Sequence, residues 1–131
     1  MGKIRVLLAD DHEAIVSKVR TVLGNEFEVV GTVSNGQDAI AEVNRLDPDV
    51  LVIDIAMPVL NGLRAASQLL SCAVHTKVVF LTVHEDQDFV DAAFGAGASG
   101  YVTKSHLTTD LVPAIHEVLR GGTYVSQFIT S

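Results

Sequence analysis

Three aspartates follow short hydrophobic runs of the sequence and could form one acidic site. Asp10 and Asp11 come directly after a run that ends at residue 9, and Asp54 comes directly after one that ends at residue 53. If the two runs are neighbouring parallel strands, the carboxylates meet at one edge of a sheet and repel each other. A divalent cation removes this repulsion, and Mg²⁺ combines one or two carboxylates with waters and phosphate oxygens. The sequence therefore indicates a magnesium-assisted phosphoryl site.

Two more polar residues end hydrophobic runs and supply groups that phosphoryl transfer needs. Thr82 follows the run 78–81 and offers a hydroxyl, and Lys104 follows the run around residues 101–102 and offers an ammonium group. Phosphoryl transfer depends on positioning and on charge neutralisation around the transferring oxygens. Taken singly, a strand-end Asp is usually a turn or cap residue, and a Lys is usually solvated. Here, polar residues of the types that phosphoryl transfer needs follow four of the predicted strands, and this joint pattern favours a shared site.

Five short hydrophobic runs predict strands. The run at 29–33 is the weakest, and the other four are apolar almost throughout, which is typical of parallel strands covered by helices on both faces. These four occupy residues 6–9, 50–53, 78–81 and 101–102. The sequence therefore predicts a sheet that is buried on both sides.

Segments of helical periodicity separate the strands. The first spans 15–23 and is followed by Gly24, and the second follows Ser34, whose spacing to Gln37 is that of a capping box. Pro113 lies in or just beyond the first turn of the last helix, where a missing N–H costs little. Three further helices are predicted over residues 63–70, 88–96 and 111–119.

Strict alternation of strand and helix predicts an α/β fold with right-handed crossovers. Five strands favour a flavodoxin-like (CheY-like), doubly wound parallel sheet of order 2-1-3-4-5 with helices on both faces. Ligands of such sheets bind at the carboxyl ends of the strands, near the point where the strand order reverses. Because strands 1 and 3 are neighbours in this order, the aspartates that follow them are expected to meet.

Charge and composition restrict the partners and the location. Sixteen acidic and nine basic residues give the 131-residue chain a formal net charge of −7, without a basic cluster. Direct binding to DNA or to anionic membranes is therefore disfavoured. The single cysteine cannot form an internal disulfide, and neither a signal-peptide pattern nor an apolar run of about 18 residues is present. We expect a cytoplasmic protein without a membrane segment.

Four segments together resemble the receiver domains of bacterial two-component systems, and the resemblance covers nearly the whole chain. They are ADDH at 9–12, VIDIAMP at 52–58 with NG at 61–62, FLT at 80–82, and GAGASGYVTK at 95–104. The first and last of these, with RGGTY at 120–124, are similar to the NarL/FixJ (LuxR-type) branch. Regulators of that branch usually carry a C-terminal helix-turn-helix that binds DNA.

The resemblance implies a role for each acidic residue. Asp54 is expected to accept a phosphoryl group from a partner histidine kinase. Asp11, Asp54 and the backbone carbonyl of Ala56 are expected to ligate Mg²⁺ directly, with Asp10 acting through water. The receiver is expected to catalyse its own phosphorylation and dephosphorylation without being a conventional enzyme.

The resemblance also implies how the signal leaves the site. Thr82 and Lys104 are expected to bind phosphoryl oxygens, and Tyr101 is expected to turn inward as Thr82 moves toward the phosphoryl group. The output face is then formed by the fourth helix, fifth strand and fifth helix, with Phe89 and His116 on it. We expect this face to form a phosphorylation-dependent homodimer or to control transcription. We expect DNA to be contacted only through a C-terminal domain outside this chain.

Other functions fit parts of the pattern. A phosphatase of the haloacid-dehalogenase type also uses a strand-end Asp, a Thr or Ser, a Lys and Mg²⁺, but it requires a second Asp where this chain has Ala56. A flavodoxin-like electron carrier requires a Ser/Thr/Gly-rich phosphate loop after the first strand, where Asp10 and Asp11 repel a phosphate. The five histidines lack the spacing of a known metal-binding motif, so none is assigned to the site.

The domain is predicted to cover residues 1–126, with residues 127–131 as a C-terminal tail or the start of a linker. A stand-alone single-domain regulator and a part of a longer regulator both remain open, and the resemblance to the DNA-binding branch favours the second.

Overall fold

Alternate residues of each central strand enter one of two hydrophobic clusters on opposite faces of a sheet. The computed structural model describes residues 2–72 and 75–126, and it places Leu7 and Leu51 in one cluster and Val6 and Val52 in the other. Successive side chains of a strand point to opposite faces, so a strand that serves both clusters is apolar at nearly every position. This explains the uninterrupted hydrophobic runs of the sequence.

Strands and helices alternate along the described residues. The strands are β1 (Ile4–Ala9), β2 (Phe27–Val33), β3 (Val50–Ile53), β4 (Lys77–Thr82), β5 (Gly100–Thr103) and β6 (Tyr124–Val125). The helices are α1 (Glu13–Leu23), α2 (Gly36–Leu46), α3 (Gly62–Ser71), α4 (Gln87–Gly95) and α5 (Leu107–Leu119). Two 3-10 turns cover Gly24–Glu26 and Lys104–His106.

The sheet has the order β2-β1-β3-β4-β5-β6, and neighbouring strands are parallel. The predicted order 2-1-3-4-5 is confirmed, but the predicted count of five strands is one too few. The added strand β6 pairs with β5, and the Ser126 N–H donates a 2.9 Å hydrogen bond to the Tyr101 carbonyl. A strand of two residues is too short to show alternation of polar and apolar residues in the sequence. Strand β6 is therefore recognised only by its pairing with β5.

The starts of α1, α2 and α5 differ from the predictions, and α1 begins at Glu13 rather than at residue 15. Helix α5 begins at Leu107 rather than at residue 111, so Pro113 lies well inside the helix, on its exposed side, and not near its first turn. Helix α2 is capped by Asn35 rather than by Ser34, because the Asn35 side chain accepts a hydrogen bond from the Asp38 N–H. The predicted ends of α3 and α4 agree with the observed ends to within one residue.

The predicted tail or linker at 127–131 lies outside the described residues. Among the helices that the structure describes, α5 is the longest with 13 residues, and none combines the length and apolarity needed to cross a membrane.

The loop between β3 and α3 is packed tightly on the strand end that carries Asp54. The Gly62 N–H donates a 2.8 Å hydrogen bond to the Ile55 carbonyl, and a Cβ atom added to Gly62 would overlap the Asp54 carbonyl oxygen. Asn61 caps α3 by accepting a hydrogen bond from the Arg64 N–H. The Asn-Gly pair therefore fixes both the start of α3 and the backbone of Asp54.

We expect Gly62→Ala to destabilise the domain by about 2 kcal/mol, because the new methyl group meets backbone that cannot rotate away. Gly95→Ala is the matched control: no atom lies within 4 Å of a Cβ built there, and Ala is the better helix residue by about 0.5 kcal/mol. Urea denaturation of both variants measures the difference. Equal free energies of unfolding for the two variants would contradict the tight approach at Gly62.

Candidate functional site

The carboxyl ends of β1 and β3 bring the three predicted aspartates together. The Asp54 N–H donates a 2.9 Å hydrogen bond to the Ala9 carbonyl, which aligns the two strand ends. Asp10 is 4% exposed and Asp54 is 2% exposed, whereas the Asp11 side chain keeps 35% of its surface in solvent. An open groove of about 630 Å³ beside α1 is lined in part by Asp10 and Asp11.

Lys104 enters the same cluster from the 3-10 turn after β5. Its Nζ atom lies 2.9 Å from Asp10 Oδ2 and 3.2 Å from Asp54 Oδ2, and its side chain is only 8% exposed. A buried ammonium group requires such partners, because desolvation of an unpaired charge is costly. The ion pairs therefore join the ends of β1, β3 and β5.

The pKa of Asp54 is raised above its ordinary value. Burial of the carboxyl is the largest cause; the Lys104 ammonium opposes the shift, and the Asp10 carboxylate adds to it. The environment of Asp54 thus disfavours its ionised form in the folded protein.

We expect Asp54→Asn to stabilise the domain at neutral pH when divalent cations are absent. The wild-type carboxyl must ionise in an unfavourable environment as pH rises through its raised pKa, and the amide does not. The stability difference should therefore grow from low to neutral pH and vanish below the unfolded-state pKa. Urea denaturation in EDTA across this range measures it, with Asp88→Asn on α4 as a control for net charge. A variant that is less stable than wild type at neutral pH would refute this reading.

Thr82 and Tyr101 meet at the backbone of His84. Both are fully buried, and in the described part of the chain the Thr82 hydroxyl bonds with His84 rather than with Asp54. Thr82 Oγ1 accepts a 3.3 Å hydrogen bond from the His84 N–H, and the Tyr101 hydroxyl donates one of 2.8 Å to the His84 carbonyl. The Tyr101 ring, expected to turn inward on phosphorylation, is therefore already inside.

The predicted output face is only partly as expected. Phe89 lies on α4, where its ring stacks on His84 with centroids 4.0 Å apart. His116 was predicted on the same face, but its imidazole instead contacts the 3-10 turn after α1 and the first residue of β2. Its Nε2 atom is 2.6 Å from Glu26 Oε2, and its ring centroid is 5.6 Å from that of Phe27. Glu26 is its polar partner and Phe27 its aromatic partner, and these contacts hold the His116 side chain away from Phe89.

Ala56 and His12 complete the surroundings of the carboxylates. Ala56 is exposed, and its N–H donates a long, 3.4 Å hydrogen bond to Asp54 Oδ1. His12 was not assigned to the site, yet its Nδ1 atom lies 2.9 Å from Asp10 Oδ1 and 3.2 Å from Asp11 Oδ1. Its only sequence signal was its position next to two aspartates at the start of a helix.

The donor set fits a divalent cation with oxygen ligands. One atom from each of Asp10, Asp11, His12 and Asp54 lies within 4.8 Å of the others. Asp10 Oδ2 is buried and makes no hydrogen bond within the described residues, although Lys104 Nζ lies 2.9 Å away as an ion-pair partner. An ion with a water shell suits such an oxygen.

Comparison with known proteins identifies the family. Residues 6–116 match the family model of the response regulator receiver domain, a family whose acidic pocket generally binds Mg²⁺. The chain is 35% identical to the transcriptional regulatory protein DegU of Brevibacillus brevis over 98% of its own length and 56% of DegU. It is 36% identical to the response regulator GacA of Pseudomonas viridiflava over 94% of its own length and 58% of GacA. The chain thus spans little more than half the length of these relatives.

Solved structures agree in fold and in branch. A LuxR-family response regulator from Aurantimonas sp. SI85-9A1 superposes with a TM-score of 0.90 at 30% identity, over 96% of this chain and 91% of that one. The signal receiver domain of the putative response regulator NarL from Mycobacterium tuberculosis gives 0.87 at 28% identity, over 92% and 99%. The chain belongs to the response regulator receiver domain family, in its NarL/FixJ branch.

Proposed function

We propose that this receiver accepts a phosphoryl group on Asp54 from a histidine kinase, with Mg²⁺ bound among the acidic residues. One observation carries the proposal: Asp54 is a buried carboxylate with a nearly buried ammonium group 3.2 Å away and two further carboxylates beside it. Receiver domains pair with histidine kinases. The output is transcription, through a DNA-binding domain outside this chain, and the protein acts in the cytoplasm.

The chemistry follows from these charges. An ionised Asp54 oxygen attacks the phosphorus of the kinase phosphohistidine; a P–O bond forms while the P–N bond breaks, and the imidazole leaves with the electron pair. Lys104 neutralises charge on the phosphoryl oxygens, which is the main help that such a transfer requires. Bound Mg²⁺ supplies further neutralisation of the phosphoryl oxygens. Attack of water on the phosphorus of this acyl phosphate later breaks the P–O bond to Asp54 and releases inorganic phosphate, and the same site is proposed to catalyse this dephosphorylation.

The surroundings of the carboxylates support a division of roles. Asp11 is part-exposed beside the groove, which suits a direct ligand together with Asp54 and the Ala56 carbonyl. Asp10 Oδ1 instead accepts a 2.9 Å hydrogen bond from the His12 N–H, and its other oxygen faces Lys104. Asp10 is therefore proposed to hold the ion through water. Ala56 offers no carboxylate, which disfavours an Asp-based phosphatase.

We expect Asp11→Asn to weaken Mg²⁺ binding more than Asp10→Asn does, because a direct ligand loses an ion–oxygen contact and a water-mediated one does not. A Mg²⁺ titration followed by backbone amide NMR measures both affinities, and Asp88→Asn again controls for net charge. Equal losses, or a greater loss for Asp10→Asn, would count against the division of roles.

Phosphorylation itself is tested with phosphoramidate, a small donor that replaces the kinase. We expect the wild-type chain to gain one phosphoryl group in the presence of Mg²⁺ and Asp54→Asn to gain none, because the other carboxylate paired with Lys104, Asp10, already accepts a 2.9 Å hydrogen bond from the His12 N–H on its second oxygen. Lys104→Ala should react about 100-fold more slowly. Intact-mass spectrometry over time gives both results. Stoichiometric phosphorylation of Asp54→Asn would refute the assignment of Asp54.

Output is proposed to run from Thr82 through His84 to the face formed by α4, β5 and α5. A phosphoryl group adds a charge of about −1.5 to −2 and is proposed to attract the Thr82 hydroxyl at the end of the neighbouring strand β4. Movement of Thr82 strains its hydrogen bond with the His84 N–H, while the Tyr101 hydroxyl holds the other side of the same residue. The His84 ring then carries the change to Phe89. This is a two-state packing change biased by a local charge.

We expect a weak homodimer through this face when beryllofluoride, a phosphoryl mimic, is bound. Analytical ultracentrifugation should show dimer for the wild type with the mimic, and monomer for the wild type without it and for Tyr101→Ala with it. The α4 variant Asp91→Asn, which keeps Tyr101, His84 and Phe89, is the control. Equal dimerisation without the mimic would contradict regulated assembly, and chemical shifts confined to the acidic cluster would contradict the switch.

A further inference from the structure

A cavity of about 190 Å³ lies at the edge of the sheet opposite to the acidic cluster. Lys77, which lines it, is the first residue of β4 and pairs in register with Val50 at the start of β3, whereas Asp54 follows the end of β3. The other walls come from α3, from the residues just before β4 and from the turn between α4 and β5. The cavity is therefore separate from the proposed phosphorylation site.

The inner wall of the cavity is apolar. Ala66 and Leu69 of α3 and Val78 of β4 line it and are each at most 5% exposed. Leu70 forms an outer wall, where a Cβ atom built on Gly97 would lie 3.2 Å from the Leu70 Cβ atom. An apolar cavity of about 150 Å³ holds one benzene molecule, so this cavity has room for an apolar group of about six carbon atoms.

The ionisable residues that line the cavity are basic. They are His75 and Lys77, and no acidic residue in the described part of the chain lines it. The His75 imidazole is already paired, with Nδ1 2.8 Å from Asp47 Oδ1. The Lys77 ammonium and the Ser99 hydroxyl, both on half-buried residues, make no hydrogen bond or ion pair with any other residue that the structure describes. In a chain with a net charge of −7, such a lining favours an anionic ligand.

We propose that this cavity binds a small aromatic monocarboxylate of about the size of benzoate. The ring fits the apolar inner wall, and the carboxylate accepts hydrogen bonds from the Lys77 ammonium and the Ser99 hydroxyl. Charge-assisted hydrogen bonds of this kind are about twice as strong as those between neutral groups. Inorganic phosphate would leave the apolar wall uncovered, and an uncharged arene would leave the ammonium unpaired. The inference goes beyond the proposed function, because the site uses neither Asp54 nor Mg²⁺.

The test is a titration of the chain with benzoate, followed by backbone amide NMR without Mg²⁺ or a phosphoryl donor. We expect shifts at Leu69, Val78 and Ser99 and a dissociation constant of about 1 mM, a usual affinity for so small a ligand. Benzyl alcohol, which has the ring but no charge, should bind about tenfold more weakly.

Two substitutions separate the charge from the apolar wall. Lys77→Gln should weaken benzoate binding about tenfold and leave benzyl alcohol binding unchanged, because only the carboxylate uses the ammonium. Leu70→Ala should weaken binding of both ligands about threefold, because each loses apolar contact. Lys18→Gln, at an exposed position of α1, is the matched control for net charge and should change the benzoate affinity less than about twofold.

Three results would overturn the inference. The first is the absence of shifts at the lining residues when benzoate is about tenfold above the expected dissociation constant. The second is an equal loss of benzoate affinity in Lys77→Gln and Lys18→Gln, which would indicate a general charge effect. The third is benzyl alcohol binding as tightly as benzoate, which would refute the carboxylate as the recognised group. None of them bears on phosphorylation of Asp54, so a failure here and a failure of the proposed function are distinguishable.

Discussion

The ammonium group of Lys104 between two buried carboxylates is the interaction on which the site depends. Asp10 and Asp54 are at most 4% exposed, and the Lys104 side chain is 8% exposed. Removing Lys104 would leave both carboxylates without a compensating charge, and breaking a buried ion pair from one side in this way costs about 3–5 kcal/mol. The same contacts join the ends of β1, β3 and β5. The charge balance of the site and the packing of these three strand ends therefore depend on the same ion pairs. A phosphoryl group or a cation enters by changing that balance.

Much of the fold could be predicted because its causes are local. Strands buried on both faces must be apolar throughout, and alternation with helices restricts the order of a parallel sheet to few choices. What could not be predicted depends on tertiary contacts. Strand β6 exists through its pairing with β5, and α5 begins at Leu107 although the residues after it, 108–110, are polar. Polar residues in the first turn of a helix hide its start from any search for apolar periodicity.

The residues of the site also fall into those that could be predicted from the sequence and those that could not. Side chains at strand ends carry a chemical identity, and the neighbouring positions of β1 and β3 follow from the strand order, so the acidic cluster could be expected. The junction at His84 could not, because two of its hydrogen bonds use backbone atoms that every residue possesses. His12 was missed for a different reason: its partners are adjacent residues and a distant strand end rather than a spaced helical motif. A search for metal-binding spacings within one helix therefore does not find His12.

A crystal structure of the chain with Mg²⁺ and beryllofluoride is the most direct measurement of how this site works. We expect beryllium bonded to an Asp54 carboxylate oxygen, and Mg²⁺ on Asp11, Asp54 and the Ala56 carbonyl. Lys104 Nζ should leave Asp10, which lies 2.9 Å away in the present structure, for a fluoride of the mimic. Density for the mimic on any other carboxylate, or a Lys104 that stays on Asp10 while Asp54 carries the mimic, would contradict the proposed charge transfer from the ion pair to the phosphoryl group.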